Sequence, residues 1–487
     1  MKGLLASDPL AAWPEELRQA LSLVARQART PLYVAGGPVR DWLLGAEPHD
    51  LDFTVATGGV ACARELSRIL GGAFVLLDAE EDVARVVWQG FTIDFSRFRG
   101  SSATIEEDLR QRDFTINALA LPFSPSTAGL ASLAVIDPTG GLADLAEKRI
   151  RTLAGENLDA DPLRLLRAYR FMACLDFAIA PATLEQIASR GRLLPGRTAM
   201  ERIAGELALI FASGRAAPAV AAMAESGLLF SLFPELAAGR DLAQPSSHHL
   251  DVFSHSLETL RCLEEVLRRP GSWFAGQEEV LSGYAAGKSN AALLAWAALF
   301  HDLGKPASHA LQGERITFYN HDRVGARLFA GIASRLRWRS RDQERAARFI
   351  SLHMWPFHLN NARQKTGISR RACLRLVKAV GEDLPGLFLL AMADSLAGQG
   401  TGKPQGMEAH LAELFAEVHG VYEEHIRPVL ASPPLLSGHD LIRDFGLTPG
   451  PVFRKILDGL QQARVEGVVA DQEEARAWVA DFLSAAE

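Results

Sequence analysis

The chain has little cysteine, and its cysteines are far apart. Its 487 residues include four of them, Cys62, Cys174, Cys262 and Cys373, and none belongs to a CxxC pair. Cysteines at short spacing are the usual signature of zinc or redox sites, so the sequence argues against both. We expect all four to be reduced, buried small hydrophobes.

The sequence also shows no segment with the apolar pattern of a membrane-spanning helix or a signal peptide. The longest apolar run, AALLAWAALF, ends at Phe300 and is too short to span a bilayer, so it predicts a buried helix. The opening MKGLLASDPLAAWPEELRQAL lacks the basic-then-apolar layout of a signal peptide. We therefore expect a cytoplasmic protein with no membrane partner.

An excess of positive charge is absent as well. The net charge of -7 argues against a general nucleic-acid binder. Two segments are nevertheless basic, and each could bind a polyanion or simply form a solvated helix face. The first contains Arg335, Arg337, Arg339, Arg341, Arg345 and Arg348, and the second Arg363, Lys365, Arg370, Arg371, Arg375 and Lys378.

Length and patterning predict an α+β protein of roughly three domains. Short β-rich runs alternate with helical runs up to about residue 155, and from Asp161 onward the pattern predicts helices only. The predicted parts are a helical lead-in (1–30), a mixed head (31–155), a helical neck (156–240), a helical body (246–400) and a helical tail (405–487).

Two aspartates stand in the predicted strand HDLDFTV. Because side chains alternate along a strand, Asp50 and Asp52 project to one face while Leu51 and Phe53 pack on the other. Close carboxylates raise each other's pKa unless a cation lies between them, and Mg²⁺ prefers oxygen ligands and leaves room for phosphates. A solvent-facing edge strand is the alternative interpretation.

A glycine pair lies between the preceding predicted strand, LYVA, and the helix VRDWLL. At Gly36 and Gly37 backbone N–H groups can approach a phosphate without an intervening Cβ. Any tight turn could use such a pair. A glycine turn followed one strand later by two alternating aspartates is a stronger indication of a nucleotide site.

A third candidate site is a ridge of charged residues on a predicted helix. Asp161, Arg164, Arg167 and Arg170 recur every three residues and therefore wind around one side of that helix. Asp161 alone could be a helix N-cap before Pro162. Together the carboxylate acceptor and guanidinium donors could pair with the Watson–Crick edge of a nucleotide base.

Histidines and aspartates recur in order through the predicted body. Adjacent His-Asp on a helix, with a distant His and Asp, supplies two imidazoles and two carboxylates for a divalent metal, although a lone buried His is usually structural. His248 and His249 match no motif and are interpreted as ordinary residues. The candidates are His255 (DVFSHSLETL), His301 and Asp302 (LFHDLGKP), His321 (FYNHDRVGARL), His353 (SLHMWPFH) and Asp394 (AMADSLA).

These motifs resemble those of bacterial tRNA CCA-adding enzymes and their relatives, the bacterial poly(A) polymerases. AGGPVRD…HDLDFTV resembles the first family motif, TIEEDLRQRDFTINALAL the second, DPLRLLRAYRF the nucleotide-recognition helix, and TAMERIAGEL with GLLFSLFPEL the neck motifs. HDLGKP resembles the signature of the HD phosphohydrolases. PLLSGHDLIRD resembles the tail of HD-containing CCA-adding enzymes, so His439-Asp440 is not a second HD site.

The resemblance implies a polymerase-β-like head of the α+β class, an all-α neck, an HD-type body and a tail. It implies a metal-dependent, template-independent nucleotidyltransferase that adds C, C and A to tRNA 3′ ends from CTP and ATP. One alternative is a poly(A) polymerase, or an enzyme that adds only A or only CC. A second is an HD phosphohydrolase whose head merely binds nucleotide.

The resemblance also assigns roles to residues. Ala160 stands where the family usually has Glu, which leaves base selectivity open, and Asp94 is either a third acid near the metals or the partner of Arg97 or Arg99. The implied roles are catalysis and Mg²⁺ binding for Asp50 and Asp52, triphosphate binding for Gly36, Gly37, Arg40 and Arg112, ribose contact for Asp113, base choice for Asp161 and Arg164, and the nucleotide pocket for Arg167 and Arg170. A divalent metal of unspecified identity would be held by His255, His301, Asp302 and Asp394, with His321 and His353 as possible extra ligands.

Overall fold

The chain forms two compact units in the computed structural model. The model describes residues 8–28, 30–48, 50–126, 128–130, 132–287 and 289–485, so residues 1–7 of the predicted lead-in lie outside the described part. The first unit runs to Leu207 and includes Ala222–Leu232, and the second contains Ala208–Ala221 and continues from Phe233. The finer five-part division stays a prediction.

The head is a mixed sheet with helices, as the sequence predicts. Its seven strands have the order β3-β4-β5-β2-β1-β6-β7, and the β2–β5 pair is parallel while the other pairs in the sheet are antiparallel. The elements are α1 (Glu15–Ala28), β1 (Tyr33–Ala35), α2 (Gly37–Leu43), β2 (Asp50–Val55), α3 (Gly59–Leu70), β3 (Ala73–Asp78), β4 (Val83–Trp88), β5 (Phe91–Arg97), α4 (Ile105–Arg110), β6 (Ala120–Ser124), β7 (Gly129–Leu130), α5 (Gly141–Ala146) and β8 (Arg149–Ile150).

Apolar packing orients strand β2. Leu51 and Phe53 are buried, and the Phe53 ring stacks on Phe95 of β5 with centroids 5.3 Å apart. Asp50 and Asp52 alternate with them and so point to the opposite face, as the spacing predicts. Burial of the two aromatic rings therefore fixes which sheet face carries the carboxylates.

The next segment is mostly helical. A two-residue strand pairs with β8 in parallel, so the expectation that strands end at Asp161 is wrong here. The elements are α6 (Gly155–Ala160), α7 (Leu163–Leu175), β9 (Ala178–Ile179), α8 (Pro181–Arg190), α9 (Leu193–Arg197), α10 (Met200–Ala212), α11 (Ala216–Glu225), α12 (Leu228–Leu232) and α13 (Pro234–Ala237).

The body contains the apolar run noted in the sequence, and that run is a buried helix as predicted. Trp296 packs against Phe211 at 4.0 Å between ring centroids and against Trp338 at 5.0 Å. A β-hairpin, which the sequence pattern did not predict, interrupts the helices. The elements are α14 (Val252–Arg268), α15 (Glu278–Ala285), α16 (Asn290–Phe300), α17 (Lys305–Ser308), β10 (His309–Gln312), β11 (Arg315–Phe318), α18 (His321–Arg335), α19 (Ser340–Leu352), α20 (Trp355–Thr366), α21 (Arg370–Val380) and α22 (Leu384–Ala397).

The tail is helical as expected. Leu436, Leu441, Ile456 and Leu460 are buried in one apolar cluster that joins its helices. The elements are α23 (Met407–Val421), α24 (Arg427–Ala431), α25 (Gly438–Phe445), α26 (Pro451–Glu466) and α27 (Gln472–Ser484). None of the described helices is both long and apolar enough to cross a membrane.

One further expectation needs correction, and one open alternative can be weighed. Cys62, Cys262 and Cys373 are buried, but Cys174 is exposed, because it lies on the outer side of the amphipathic helix α7. Several arginine and lysine side chains of the two basic segments form ion pairs within the fold. For these residues the ion pairs argue against a role in binding a polyanion. They are Arg335 with Glu235, Arg345 with Asp383, Arg363 with Glu413 and Glu417, and Lys378 with Asp458.

Candidate active site and metal centre

Three carboxyl groups share one face of the head sheet. Asp50 and Asp52 lie on β2, and Asp94 lies directly opposite Asp52 on the parallel strand β5. Burial, followed by the charge of Asp94, raises the pKa of Asp52 to about 6. A carboxyl group that resists ionisation beside a second carboxylate is the arrangement that a divalent cation relieves, so these residues fit Mg²⁺.

Asp94 has a different ion-pair partner from the two proposed in the sequence analysis. Arg85 of β4 donates to both of its carboxylate oxygens at 2.8 Å, whereas Arg97 lies beside Glu81 and Arg99 beside Asp108. The cross-strand register of β4 and β5 places Arg85 opposite Asp94. Asp94 is therefore both a neighbour of Asp52 and the partner of an arginine.

The glycine turn brings an arginine against the backbone. Gly36 has a φ of 85°, and a Cβ there would lie 2.6 Å from an Nη1 atom of Arg112. Glycine is thus required both by the backbone conformation and by the approach of this guanidinium. Arg40 on α2 donates to Asp41 at 2.8 Å and to Asn117 at 2.6 Å, which fixes its side chain beside the turn.

Arg112 is buried and does not form a surface salt bridge. Its Nη2 donates to Asp108 at 3.1 Å, four residues earlier, and Arg99 donates to the same carboxylate. Burial and the charge of Arg99 lower the pKa of Arg112 to about 10. Two arginines sharing one carboxylate leave surplus positive charge, which suits a phosphate group.

Asp113 is held as a buried carboxylate. It accepts hydrogen bonds from Phe114 N at 2.8 Å, Asn117 Nδ2 at 3.0 Å and Arg167 Nε at 2.8 Å. Burial alone would raise its pKa, but Arg167 and these hydrogen bonds hold the pKa of Asp113 well below its usual range. The carboxylate is therefore charged and oriented at neutral pH.

The arginines of α7 face the same cavity as the strand carboxylates, and Asp161 lies just before this helix in an extended conformation. Arg164 donates to the carbonyl oxygens of Asn157 at 3.0 Å and Gln111 at 3.3 Å, which fixes its guanidinium. Arg170 lies 3.3 Å from Glu206 and 4.3 Å from the centroid of the Phe171 ring. The cavity has a volume of about 620 Å³ and is lined by all the catalytic and nucleotide-binding residues predicted from the sequence.

Several residues in the cavity or paired with its lining residues were not identified from the sequence. Arg202 on α10 contacts both carboxylate oxygens of Asp161, at 2.9 and 3.3 Å. Three of the missed residues lie within or close to motifs already identified in the sequence. Asp108 lies four residues before Arg112, and Arg202 and Glu206 lie in the segment TAMERIAGEL. Arg85, Arg99 and Phe171 also line the cavity.

The body holds a second cluster, built around Asp302. One oxygen of this carboxylate lies 3.1 Å from His301 Nε2 and 3.8 Å from His255 Nε2. The other lies 3.4 Å from His321 Nε2 and 3.8 Å from His353 Nε2. Asp394 completes the cluster 2.9 Å from His255. The structure thus brings all the predicted ligands together.

Hydrogen bonding sets the tautomers of three of these histidines. His301, His321 and His353 each direct Nδ1 at a backbone carbonyl oxygen three residues earlier, at 2.9, 2.8 and 2.7 Å. A carbonyl only accepts, so Nδ1 carries the proton and the Nε2 lone pair of a neutral ring faces Asp302. Two such atoms, those of His321 and His353, are 3.2 Å apart.

The donor set fits a divalent metal. Burial and the neighbouring His301 lower the pKa of His353 to about 3, so its ring is neutral at physiological pH. Among the described residues, Asp302 Oδ1 and His255 Nδ1 are buried without a hydrogen-bond partner. Converging lone pairs and an unsatisfied carboxylate oxygen are costly unless a cation binds them.

His248 lies beside this cluster, although its sequence context matches no motif. Its ring centroid is 4.6 Å from that of His255, and it could share a metal with His255 and Asp394. At His439-Asp440, by contrast, Asp440 accepts hydrogen bonds from Ser437 in a capping box at the start of α25.

A carboxylate-bearing sheet face beside an arginine-lined cavity defines a nucleotidyltransferase head of the polymerase type. Comparison with known proteins agrees. The model of the "Poly A polymerase head domain" matches residues 32–151, that of the "Probable RNA and SrmB- binding site of polymerase A" residues 176–239, and that of the HD domain residues 252–397.

Curated relatives cover nearly the whole chain. The A-adding tRNA nucleotidyltransferase of Deinococcus radiodurans is 35% identical over 92% of this chain and 94% of its own length. The CC-adding tRNA nucleotidyltransferase of Thermus thermophilus is 33% identical over 92% of each. A CCA-adding enzyme of Thermotoga maritima, solved with tRNA, shares the fold with a TM-score of 0.61 and 22% identity, covering 98% of this chain and 99% of that one. The chain belongs to the tRNA nucleotidyltransferase family and is a nucleotidyltransferase with an HD domain.

Proposed function

We propose that the enzyme extends the 3′ end of tRNA with C and A, using CTP and ATP and no nucleic-acid template. One observation carries the proposal: the carboxylates of β2 and the arginine ridge of α7 line a single cavity. The carboxylates could hold a metal ion at the reacting phosphate, and the arginines could donate hydrogen bonds to the edge of a base. The names of the relatives support tRNA as the substrate.

The reaction joins the RNA to the α-phosphate of the nucleotide. The 3′-hydroxyl oxygen attacks the α-phosphorus, the bond to the bridging oxygen breaks, and pyrophosphate leaves. Asp50 and Asp52 would hold Mg²⁺, which when bound activates the hydroxyl and offsets phosphate charge. Arg112, with Arg40 and the Gly36–Gly37 turn, would bind the triphosphate.

The protein itself would select the base. Asp161 offers acceptor oxygens, and Arg164 offers donors held by two backbone carbonyls. Asp113, a fixed carboxylate, would accept a hydrogen bond from the ribose. Arg167 and Arg170 would enclose the nucleotide together with the Phe171 ring, against which both guanidinium groups lie.

A second candidate is an enzyme restricted to one part of this sequence. Two relatives that cover 92% of the chain are named A-adding and CC-adding, and Ala160 replaces the usual glutamate beside Asp161. The test supplies one nucleotide at a time to tRNA transcripts that lack CCA, CA or A. Incorporation of both CTP and ATP supports CCA addition, and failure with either one identifies the restricted enzyme. Long A tails would identify a poly(A) polymerase.

For the HD cluster we propose a metal-dependent phosphohydrolase that acts on phosphorylated or cyclic-phosphate RNA ends. The converging Nε2 atoms and the unsatisfied Asp302 oxygen support it. The test incubates RNA bearing a 2′,3′-cyclic phosphate with wild type, Asp302→Asn and Asp52→Asn. We expect Asp302→Asn to lose hydrolysis and keep nucleotide addition, and Asp52→Asn to do the reverse. Hydrolysis that survives Asp302→Asn would contradict the assignment.

The substrates also imply a location. We propose that the enzyme is cytoplasmic, where tRNA and nucleoside triphosphates are found together. The burial of three of its four cysteines is consistent with a reducing compartment.

A further inference from the structure

The outermost strand of the head sheet is apolar and exposed. Val75, Leu76 and Leu77 of β3 retain 43%, 46% and 47% of their accessible surface. The strand order places β3 at one end of the sheet, and no other described strand pairs with its outer edge. Every second residue of such a strand directs its N–H and C=O groups outward, so the edge offers a template for another strand.

Charge argues against RNA as the occupant of this edge. The strand sequence AFVLLD contains no lysine or arginine, its last residue Asp78 is exposed, and so are Glu80 and Glu81 in the turn that follows. Acidic groups at this position repel phosphates. An apolar edge of this kind is suited to a protein strand, which would pair its backbone with that of β3.

We propose that the occupant is β3 of a second copy of this chain, paired in antiparallel orientation about a two-fold axis at Val75. In that register Val75 lies opposite Val75 and Phe74 opposite Leu76, and these residues belong to the regular part of β3, before the register shift between Leu76 and Asp78. These cross-strand pairs are apolar, which stabilises a sheet. A self-complementary contact of this kind is what a two-fold dimer requires.

The charges at the two ends of β3 are complementary in the same register. The Arg64 guanidinium lies 5.3 Å from the centroid of the Phe74 ring, near the first residues of β3, whereas the neighbouring Arg68 is paired with Glu65. The opposite end carries Asp78 and Glu80. Antiparallel pairing brings the acidic end of each copy to the basic end of the other, whereas parallel pairing would place like charges together.

The pairing would also align the two candidate active sites. Val75 lies opposite Arg85, Arg85 opposite Asp94, and Asp94 opposite Asp52 across successive strands, so Val75 and the carboxylates share one sheet face. A two-fold axis perpendicular to the sheet keeps both carboxylate faces on one side of the joined sheet. A single strand pair is a small interface, so we expect dissociation at about micromolar concentration.

The test measures sedimentation of the full-length protein from nanomolar to hundred-micromolar concentration. We expect wild type to dimerise, and Val75→Lys and Val75→Glu each to weaken the dimer at least tenfold, because the two-fold axis sets like charges face to face. An equimolar mixture of the two variants should associate again, since Lys then faces Glu. Val468→Lys, at a 63% exposed valine of the tail, is the matched control and should dimerise normally.

Amide hydrogen exchange provides the second measurement. Protection of residues 73–78 should rise with protein concentration in wild type and stay constant in Val75→Lys. Unchanged nucleotide addition by the variants shows that they are folded. A wild type that stays monomeric at the highest concentration, or variants that do not associate when mixed, would overturn the proposal.

Discussion

Asp52 on β2 lies directly opposite Asp94 on the parallel strand β5, so two carboxyl groups meet on one face of the sheet. Burial and this neighbour raise the pKa of Asp52 to about 6. In the metal-free protein the protonated form of Asp52 therefore favours the folded state. That contribution is complete at low pH and is lost as pH rises through about 6.

Asp52→Asn should consequently stabilise the metal-free protein at neutral pH while abolishing nucleotide addition. The neutral amide avoids the cost of ionisation, so we expect a gain of about 2 to 3 kcal/mol in the free energy of unfolding above pH 7, vanishing near pH 4. Urea unfolding across this pH range in chelator measures it. Glu80→Gln, at an exposed carboxylate, should show no such trend, and a variant less stable than wild type at pH 8 would contradict the argument.

Arg164→Ala should blur the choice between C and A more than it weakens triphosphate binding. The guanidinium is held by the carbonyl oxygens of Asn157 and Gln111, so its donors have fixed directions that the shortened side chain loses. We expect the ratio of kcat/KM for the correct nucleotide to kcat/KM for the incorrect one to fall roughly tenfold or more, with little change in KM. Arg190→Ala, which removes an arginine paired with Asp159, is the control. Discrimination equal to wild type would refute the role.

The strands β2 to β5 were predictable because apolar and polar residues alternate along them, and the HD cluster because His301 and Asp302 are adjacent in sequence. Both patterns are contained within short segments. Asp94 shows where such reasoning ends: its partner Arg85 follows from the register between two strands, which no single segment specifies. The contact between Arg202 and Asp161 joins residues far apart in sequence. The hairpin β10–β11 was missed because most of its side chains are exposed and give no buried periodicity.

Asp82→Asn should destabilise the head without affecting the site. The Asp82 carboxylate accepts hydrogen bonds of 2.8 Å from the N–H groups of Gly58, Gly59 and Val60 at the start of α3. Asparagine tolerates the φ of 54° at this position but offers one acceptor oxygen, so we expect a loss of about 1 kcal/mol. Chemical denaturation measures it. Glu81→Gln, next in sequence and exposed, should change stability little, and equal losses in both variants would contradict the capping role.

Asp302→Asn should remove metal from the HD cluster. The His439-Asp440 pair of the tail, which has the same two residue types, provides the control. The two Asp302 oxygens face different pairs of histidines, so one substitution should abolish both halves of the site. His353→Ala should spare the half formed by His255, His301 and Asp394. Metal content after dialysis, measured by mass spectrometry, distinguishes these outcomes. Asp440→Asn, within the His439-Asp440 pair that caps α25, should retain all the metal.

The same site should lose metal as the pH falls. Burial alone would lower the pKa of His301, but the charge of Asp302 outweighs it and raises that pKa above its usual value, so a proton competes with the metal for this ring as the pH falls. The pKa of His353 is lowered to about 3, and this ring offers no such competition. Metal titrations should therefore show weaker binding at pH 6 than at pH 8, with a proton released on binding. Affinity that does not change between these values would mean that His301 is not a ligand.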